Sequence, residues 1–359
     1  MKVASVFIVV AAVLVPALWL LWRRRRRKAA PAGAHASVQP APGSLTATPI
    51  APLRPLLRRM YAVTLAAPEL ADPYLPIEGL QAQVLEQAQA SLEKLDLQAQ
   101  YMPRRPHLLP QLMRAVNDPT AGGRAIAAII AQDPALTTNL LRIANSAMYR
   151  PPGTMPVDSV ERAVVLVGTD GVRRIAAAAL MQPVLSLEGE LFGQLSPLIW
   201  QHALQVAAAA ADYAGRHGRG QAALSAQLLG LLQGLGAVVV MRVLQDSYAR
   251  NPGVPPSLAV AAALLDRHAL APAGMVTAGW GLPLALRQAL TEPALDGDRG
   301  PADTLAAALR YGRMAAVLAA LAHAGQHSQE QALSVLATLE PDAQANARLW
   351  TRLRAQDPG

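Results

Sequence analysis

Apolar residues recur at spacings of three and four along most of the chain, which is the period of an amphipathic helix. Between residues 76 and 101 they alternate in this way with Gln and Glu. Helix starts are indicated by Asp133-Pro134 and by Asp158 with Glu161 three residues later. Ala and Leu dominate, and the β-branched alternation of strands is missing. The pattern therefore predicts an all-α fold, a compact bundle of many helices.

Glycine and alanine refine this prediction at three places. Gly168 is placed to end the helix that begins near Asp158. The Ala-rich segments 204–212 and 304–322 have side chains small enough for helices to approach closely. We therefore assign both segments to the core.

An uncharged segment of 20 residues, 3–22, precedes the predicted bundle. A helix of that length, rising about 1.5 Å per residue, spans a hydrocarbon core of about 30 Å. Six cations follow at residues 23–28. The positive-inside rule then predicts a single-pass anchor in the cytoplasmic (inner) membrane, with the bulk of the chain in the cytoplasm. A cleaved signal peptide, with small residues at 32–36, is the alternative.

The same basic block accounts for most of the net charge. The chain carries +8 formally, and without the six cations of residues 23–28 the remainder is 8 − 6 = +2. A nucleic-acid partner is therefore not expected. The chain contains no cysteine, which excludes disulfides, thiolate metal sites and a cysteine nucleophile.

Several ordered phrases carry a family resemblance. They are NDP (117–119), IIAQDPALTTNLLRIANSAMY (129–149), SVERAVVLVGTDGVRRIA (159–176), IWQHALQVAAAAADYAG (199–215), LSAQLLGLLQGLGAVVV (224–240) and WGLP (280–283). Together they resemble the HDOD domain, a helical and catalytically degenerate relative of HD phosphohydrolases in bacterial signalling. The resemblance implies a multi-helix HDOD-like bundle and a signalling role.

Five segments follow from these observations. They are a transmembrane anchor with its basic stop (1–28), a flexible linker rich in Ala and Pro (29–56), a helical connector (57–101), an HDOD-like domain (102–295) and a C-terminal helical extension (296–359). Whether the extension belongs to the body of the domain is left open by the sequence.

The positions that would carry catalysis are changed. In the HD phosphohydrolases that this chain resembles, an adjacent His-Asp pair follows two leucines and holds divalent metal. Here Leu231 and Leu232 are followed by Gln233 and Gly234. Glycine has no ligand atom and glutamine is a weak neutral one. His202 matches the upstream histidine, but one imidazole does not make a metal centre. We therefore expect no enzyme activity, no metal and no cofactor.

The resemblance implies a binding role, for which we select a candidate partner surface. It consists of polar or amphipathic residues in the HDOD-like segment, namely Asn145, Ser146, Tyr149, Arg173 and Arg174. Helix capping and solvent exposure explain each of them equally well. The partner of this surface would be a signalling protein or a nucleotide messenger.

Two other functions stay open at this point. One is a residual metal-dependent phosphohydrolase or phosphodiesterase, with ligands from His202, Asp212, Asp246, Asp266 and His268. The other is a structural scaffold that forms a homodimer through residues 77–100 and the Ala-rich helices.

Overall fold

The structure is a computed structural model that describes residues 53–64, 76–94, 99–118, 122–145, 153, 155–182, 184–185, 195–218, 222–291 and 304–355. The predicted transmembrane segment (3–22), its basic block and the linker up to residue 52 lie outside these residues.

The described residues form fourteen α-helices and no strand, which confirms the all-α prediction for this part of the chain. In chain order they are α1 (Leu53–Thr64), α2 (Gly79–Glu93), α3 (Leu109–Asn117), α4 (Gly123–Ile130), α5 (Pro134–Ala144), α6 (Val160–Met181), α7 (Leu195–His217), α8 (Ala222–Ala249), α9 (Leu258–His268), α10 (Leu270–Gly279), α11 (Leu284–Thr291), α12 (Leu305–His323), α13 (Gln329–Leu339) and α14 (Ala343–Ala355). A short 3-10 turn, Ala99–Tyr101, precedes α3.

Helix α8 is the centre of the bundle. Every residue from 226 to 241 is buried, and α7, α10 and α12 pack around it. A helix that is apolar on all sides is typical of a protein core. Both α8 and α12 are long and apolar enough to cross a bilayer, but 89% of each apolar window is buried inside the protein. We therefore interpret both as core helices.

Small residues set the distance between these central helices. A Cβ atom on Gly230 would lie 2.5 Å from the Cα of Ala207, and one on Gly312 would lie 2.6 Å from the carbonyl oxygen of Val206. Helix α7 is therefore in near-backbone contact with α8 on one side and with α12 on the other. The assignment of both Ala-rich segments to the core is confirmed.

Helix α6 begins one residue later than the capping pattern suggested. Ser159 is the N-cap, and its side chain accepts a hydrogen bond from the backbone N–H of Arg162. Asp158 instead forms an ion pair with the Arg162 side chain at 3.0 Å. Gly168 has a φ of 73° and breaks the helix, as predicted from the sequence.

The connector belongs to the body of the protein. Helix α1 begins at Leu53, inside the segment assigned to the linker (29–56), and buries Leu57 and Tyr61. Helix α2 packs its apolar face on α8 and α9. The buried residues of α2 are Val84, Ala88 and Leu92, and a homodimer through residues 77–100 stays a prediction.

The described part of the C-terminal extension also belongs to the body. Helix α12 packs on α7 and α8, and α14 contacts α7. Arg216 on α7 donates to Glu340, which follows α13, at 2.6 Å, and His217 contacts the same carboxylate. Although burial opposes ionisation of Glu340, its hydrogen bonds with His217 and Asp342 and the charge of Arg216 hold its pKa below the ordinary value.

Candidate functional site

Helices α7 and α8 bring the three degenerate HD positions to one small cavity. His202 on α7 and Gln233 and Gly234 on α8 line it together. Its volume is about 20 Å³, which is close to the room that a single water molecule requires. A metal ion with its coordinating waters and a phosphoester would not fit without movement of the walls.

His202 is neutral in this cavity at physiological pH. It is 8% exposed, and its Nδ1 atom is buried with no hydrogen-bond partner among the described residues. Burial, aided by the positive charge of Arg313, lowers the pKa of His202 to about 3. A neutral imidazole can bind a metal ion, but the positive charge of a neighbouring guanidinium repels that ion.

The side chains of Ala203 and Leu185 crowd position 234. A Cβ atom on Gly234 would lie 3.0 Å from both Cβ of Ala203 and Cδ2 of Leu185. An aspartate there would need those two side chains to move. Gly234 thus contributes to the close packing between α7 and α8. It also has no side-chain atom that could bind a metal.

Two further helices cover the cavity. Helix α1 contributes Leu57 and Tyr61, and α12 contributes Arg313, which is 5% exposed. An ion pair between Arg58 and Asp266 on α9 holds α1 in place. Burial raises the pKa of Tyr61 to about 12, although the charge of Arg313 opposes this. The hydroxyl of Tyr61 therefore stays protonated beside the guanidinium of Arg313.

The comparison with known proteins agrees with the resemblance of the sequence. The HDOD domain family matches residues 102–293. The chain belongs to the HDOD family. No functionally curated protein shows significant similarity to it.

Two solved structures share the fold of this HDOD protein. One is a candidate metal-dependent phosphohydrolase from Shewanella amazonensis SB2B, with 18% identity, a TM-score of 0.52 and coverage of 77% of this chain and 98% of the other. The second is an HDOD domain protein of unknown function from Geobacter sulfurreducens, with 17% identity and a TM-score of 0.51. The match covers 76% of this chain and 97% of the other. At these identities the likeness shows the fold alone.

The groups that cover the cavity come from outside the HDOD domain. The match covers residues 102–293, whereas α1 precedes it and α12 follows it. Sequence reasoning missed Leu57, Tyr61 and Arg313 as site residues. One signal was available, since Arg310 and Arg313 are the only charged residues in the apolar helix α12. Two arginines in a core helix require a specific environment.

These residues do not fit the metal centre of an HD phosphohydrolase. The described residues that line the cavity offer one imidazole, one amide, one phenol and one guanidinium, with no carboxylate. Among the described residues, no group of three or more His, Asp and Glu side chains could hold a metal ion. Divalent metals at hydrolytic sites need several anionic or imidazole ligands.

The other proposed metal ligands lie elsewhere. Asp212 pairs with Arg216 and Arg352, about 15 Å along α7 from His202. Asp246 accepts from Tyr101 and pairs with Arg250, and Asp266 pairs with Arg58. His268 is absent from the cavity lining, and burial, its largest influence, lowers its pKa. The structure therefore does not assemble the ligand set that sequence left open.

Two of the five residues of the candidate partner surface make polar contacts within the protein. The Asn145 side chain donates to the carbonyl oxygens of Leu141 and Val157 and accepts from the Val157 N–H, which fixes the chain after α5. Arg173 is 11% exposed and pairs with Asp170 at 3.2 Å. The side chain of Arg174 is exposed, while Ser146 and Tyr149 lie outside the described residues. Asn145 therefore fixes the loop after α5, and partner binding by the five candidate residues stays a prediction.

Proposed function

We propose that this chain is a membrane-anchored, non-catalytic HDOD signal-transduction module that binds a protein or nucleotide partner at the cytoplasmic face of the inner membrane. The observation that carries the non-catalytic part is the closed cavity around His202, Gln233 and Gly234. A buried guanidinium faces it where an active relative would hold metal.

Electrostatics supports this proposal. The described lining of the cavity contains the positive charge of Arg313 and no carboxylate that could serve as an acidic ligand for a divalent cation. In a buried setting the repulsion between two cations amounts to several kcal/mol. The cavity walls would also have to open, because Leu57 and Tyr61 fill the remaining space. Both effects act against hydrolysis.

The position of α1 supports a relay role. This helix begins within the last residues of the proposed linker and covers the cavity of the HDOD domain. Any force or partner that displaces the linker would therefore act first on Leu57, Arg58 and Tyr61. The domain would sense that displacement through the Arg58–Asp266 ion pair and the burial of Tyr61.

The non-catalytic proposal is tested by a hydrolysis assay. We expect full-length protein in detergent, supplied with Mn²⁺ or Mg²⁺, to hydrolyse bis(p-nitrophenyl) phosphate no faster than its His202→Ala variant. The reason is that His202 has no metal partner in the cavity. Metal-dependent turnover that disappears in His202→Ala would contradict the proposal.

The anchor is tested by a topology reporter. Alkaline phosphatase fused after residue 50 is expected to stay inactive in cells, because the six cations at 23–28 retain the downstream chain in the cytoplasm. Replacing those six residues with Ser or Gln should raise the phosphatase activity. An active reporter behind the native basic block would show that the body is periplasmic.

A further inference from the structure

A second and larger cavity lies at the turn that follows α10. Its volume is about 430 Å³, within the usual range for small-molecule sites. The walls combine two guanidinium groups, Arg105 and Arg114, with apolar groups that include Leu109, Trp280 and Leu282. None of its lining residues also lines the cavity at His202.

Hydrogen bonds hold this cavity in shape. The indole N–H of Trp280 donates to the carbonyl oxygen of Pro103 at 3.0 Å. In return, Nη1 of Arg105 donates to the carbonyl oxygen of Trp280 at 2.7 Å. Gly281 directly follows Trp280 and has a φ of 69°, which allows the chain to turn at this position. The segment before α3 and the WGLP turn (280–283) are therefore fastened to each other, and the cavity is preformed.

The two arginines carry an excess of positive charge. Arg105 makes its one polar contact with the Trp280 carbonyl, and the Arg114 side chain has no hydrogen-bond or ion-pair partner within the described ranges. By contrast Arg58, Arg216 and Arg250 are each paired with an acid. Asp118 lies on the same wall, so the lining side chains sum to 2 − 1 = +1.

We propose that this cavity binds a small organic phosphate of nucleotide size. Two guanidinium groups on different segments suit a tetrahedral oxyanion, whereas a carboxylate would be satisfied by the fork of one arginine. The accessible rings of Pro110 and Pro283 add apolar surface to the lining, which the organic part of such a ligand would cover. The inference rests on the proposed non-catalytic function, because it treats the bound phosphate as a signal and not as a substrate.

The test is isothermal titration calorimetry on the full-length protein in detergent. The probes are the four nucleoside monophosphates AMP, GMP, CMP and UMP, with inorganic phosphate and the free nucleosides as references. We expect at least one monophosphate to bind about tenfold or more tightly than inorganic phosphate and than its own nucleoside. Removing a charged hydrogen-bond donor in Arg114→Ala should weaken this binding by about tenfold or more.

Matched variants separate the site from general charge effects. Arg162→Ala removes an exposed arginine on α6, far from the cavity in the chain, and should leave the affinity unchanged. Arg114→Ala should keep the native thermal transition, because this side chain contacts no polar partner. No binding by any monophosphate, equal binding of inorganic phosphate, or full affinity in Arg114→Ala would each overturn the proposal.

The same samples distinguish failure of this site from failure of the proposed function. Chromatography of the mixture after titration, with Mn²⁺ present, shows whether the nucleotide is intact. An intact nucleotide bound through Arg114 supports both proposals. Nucleotide hydrolysis would overturn the non-catalytic role, whereas intact but unbound nucleotide would overturn the phosphate site alone.

Discussion

Gly236→Ala is expected to lower the free energy of unfolding by about 3 kcal/mol or more. Gly236 lies two residues from Gly234 on the buried helix α8. A Cβ atom there would lie 1.6 Å from the carbonyl oxygen of Ala269 and 3.1 Å from the backbone nitrogen of Ala273. Because these are backbone atoms of α10 and of its N-cap residue Ala269, the start of α10 would have to move away.

Denaturant unfolding, followed by circular dichroism, measures this effect. Gly279→Ala is the matched control, because Gly279 is also helical and a Cβ there meets nothing within 4 Å. We expect the control to change stability by less than about 1 kcal/mol. Equal effects of the two substitutions would show that α8 and α10 are not in backbone contact.

Trp350→Ala should also cost about 3–5 kcal/mol, the range for removal of a large buried aromatic side chain. Trp350 is on α14 and is 2% exposed. This helix packs against α7 and α12. If the C-terminal helices belong to the body, as the structure indicates, the whole protein should unfold at lower denaturant in one transition.

A neighbouring substitution provides the control for Trp350→Ala. Thr351 is exposed on the same helix, and its hydroxyl donates only to the Ala347 carbonyl of the preceding turn. Thr351→Ala should therefore change stability by less than about 0.5 kcal/mol. A Trp350→Ala variant that loses only a small, separate helical signal would mean that α14 is an independent appendage.

The fold was accessible from local patterns because helices leave a short-range signature. The spacing of apolar residues, the helix start at Asp133-Pro134 and the break at Gly168 identified real helices. Boundaries were less accurate where two polar residues compete. Ser159 caps α6 because Asp158 is paired with Arg162, and the sequence alone does not rank these two arrangements.

The site was only partly predictable, because some of its residues lie far apart along the chain. His202, Gln233 and Gly234 were found through the family phrase, and the structure places them around one cavity. Tyr61 and Arg313 are separated from His202 by more than one hundred residues. Their contact depends on how α1 and α12 dock on the HDOD domain, which no local pattern encodes.

A sequence pattern does not distinguish a residue that fixes a loop from one that contacts a partner. Asn145 lies in a polar phrase that also appears suited to recognition, yet all its amide atoms are used by the backbone of residues 141 and 157. Asparagine often has this loop-fastening role, because its side chain mimics a peptide group. Distinguishing a clamp from a contact therefore required the three-dimensional arrangement.

The central claim is that a guanidinium and packed side chains have replaced the metal centre. Calorimetric titration of full-length protein with Mn²⁺, compared with His202→Ala, tests it most directly. We predict that no stoichiometric Mn²⁺ binding depends on His202, and that native protein and variant give the same heats. Binding of one or two Mn²⁺ ions per chain that is lost in His202→Ala would contradict the account.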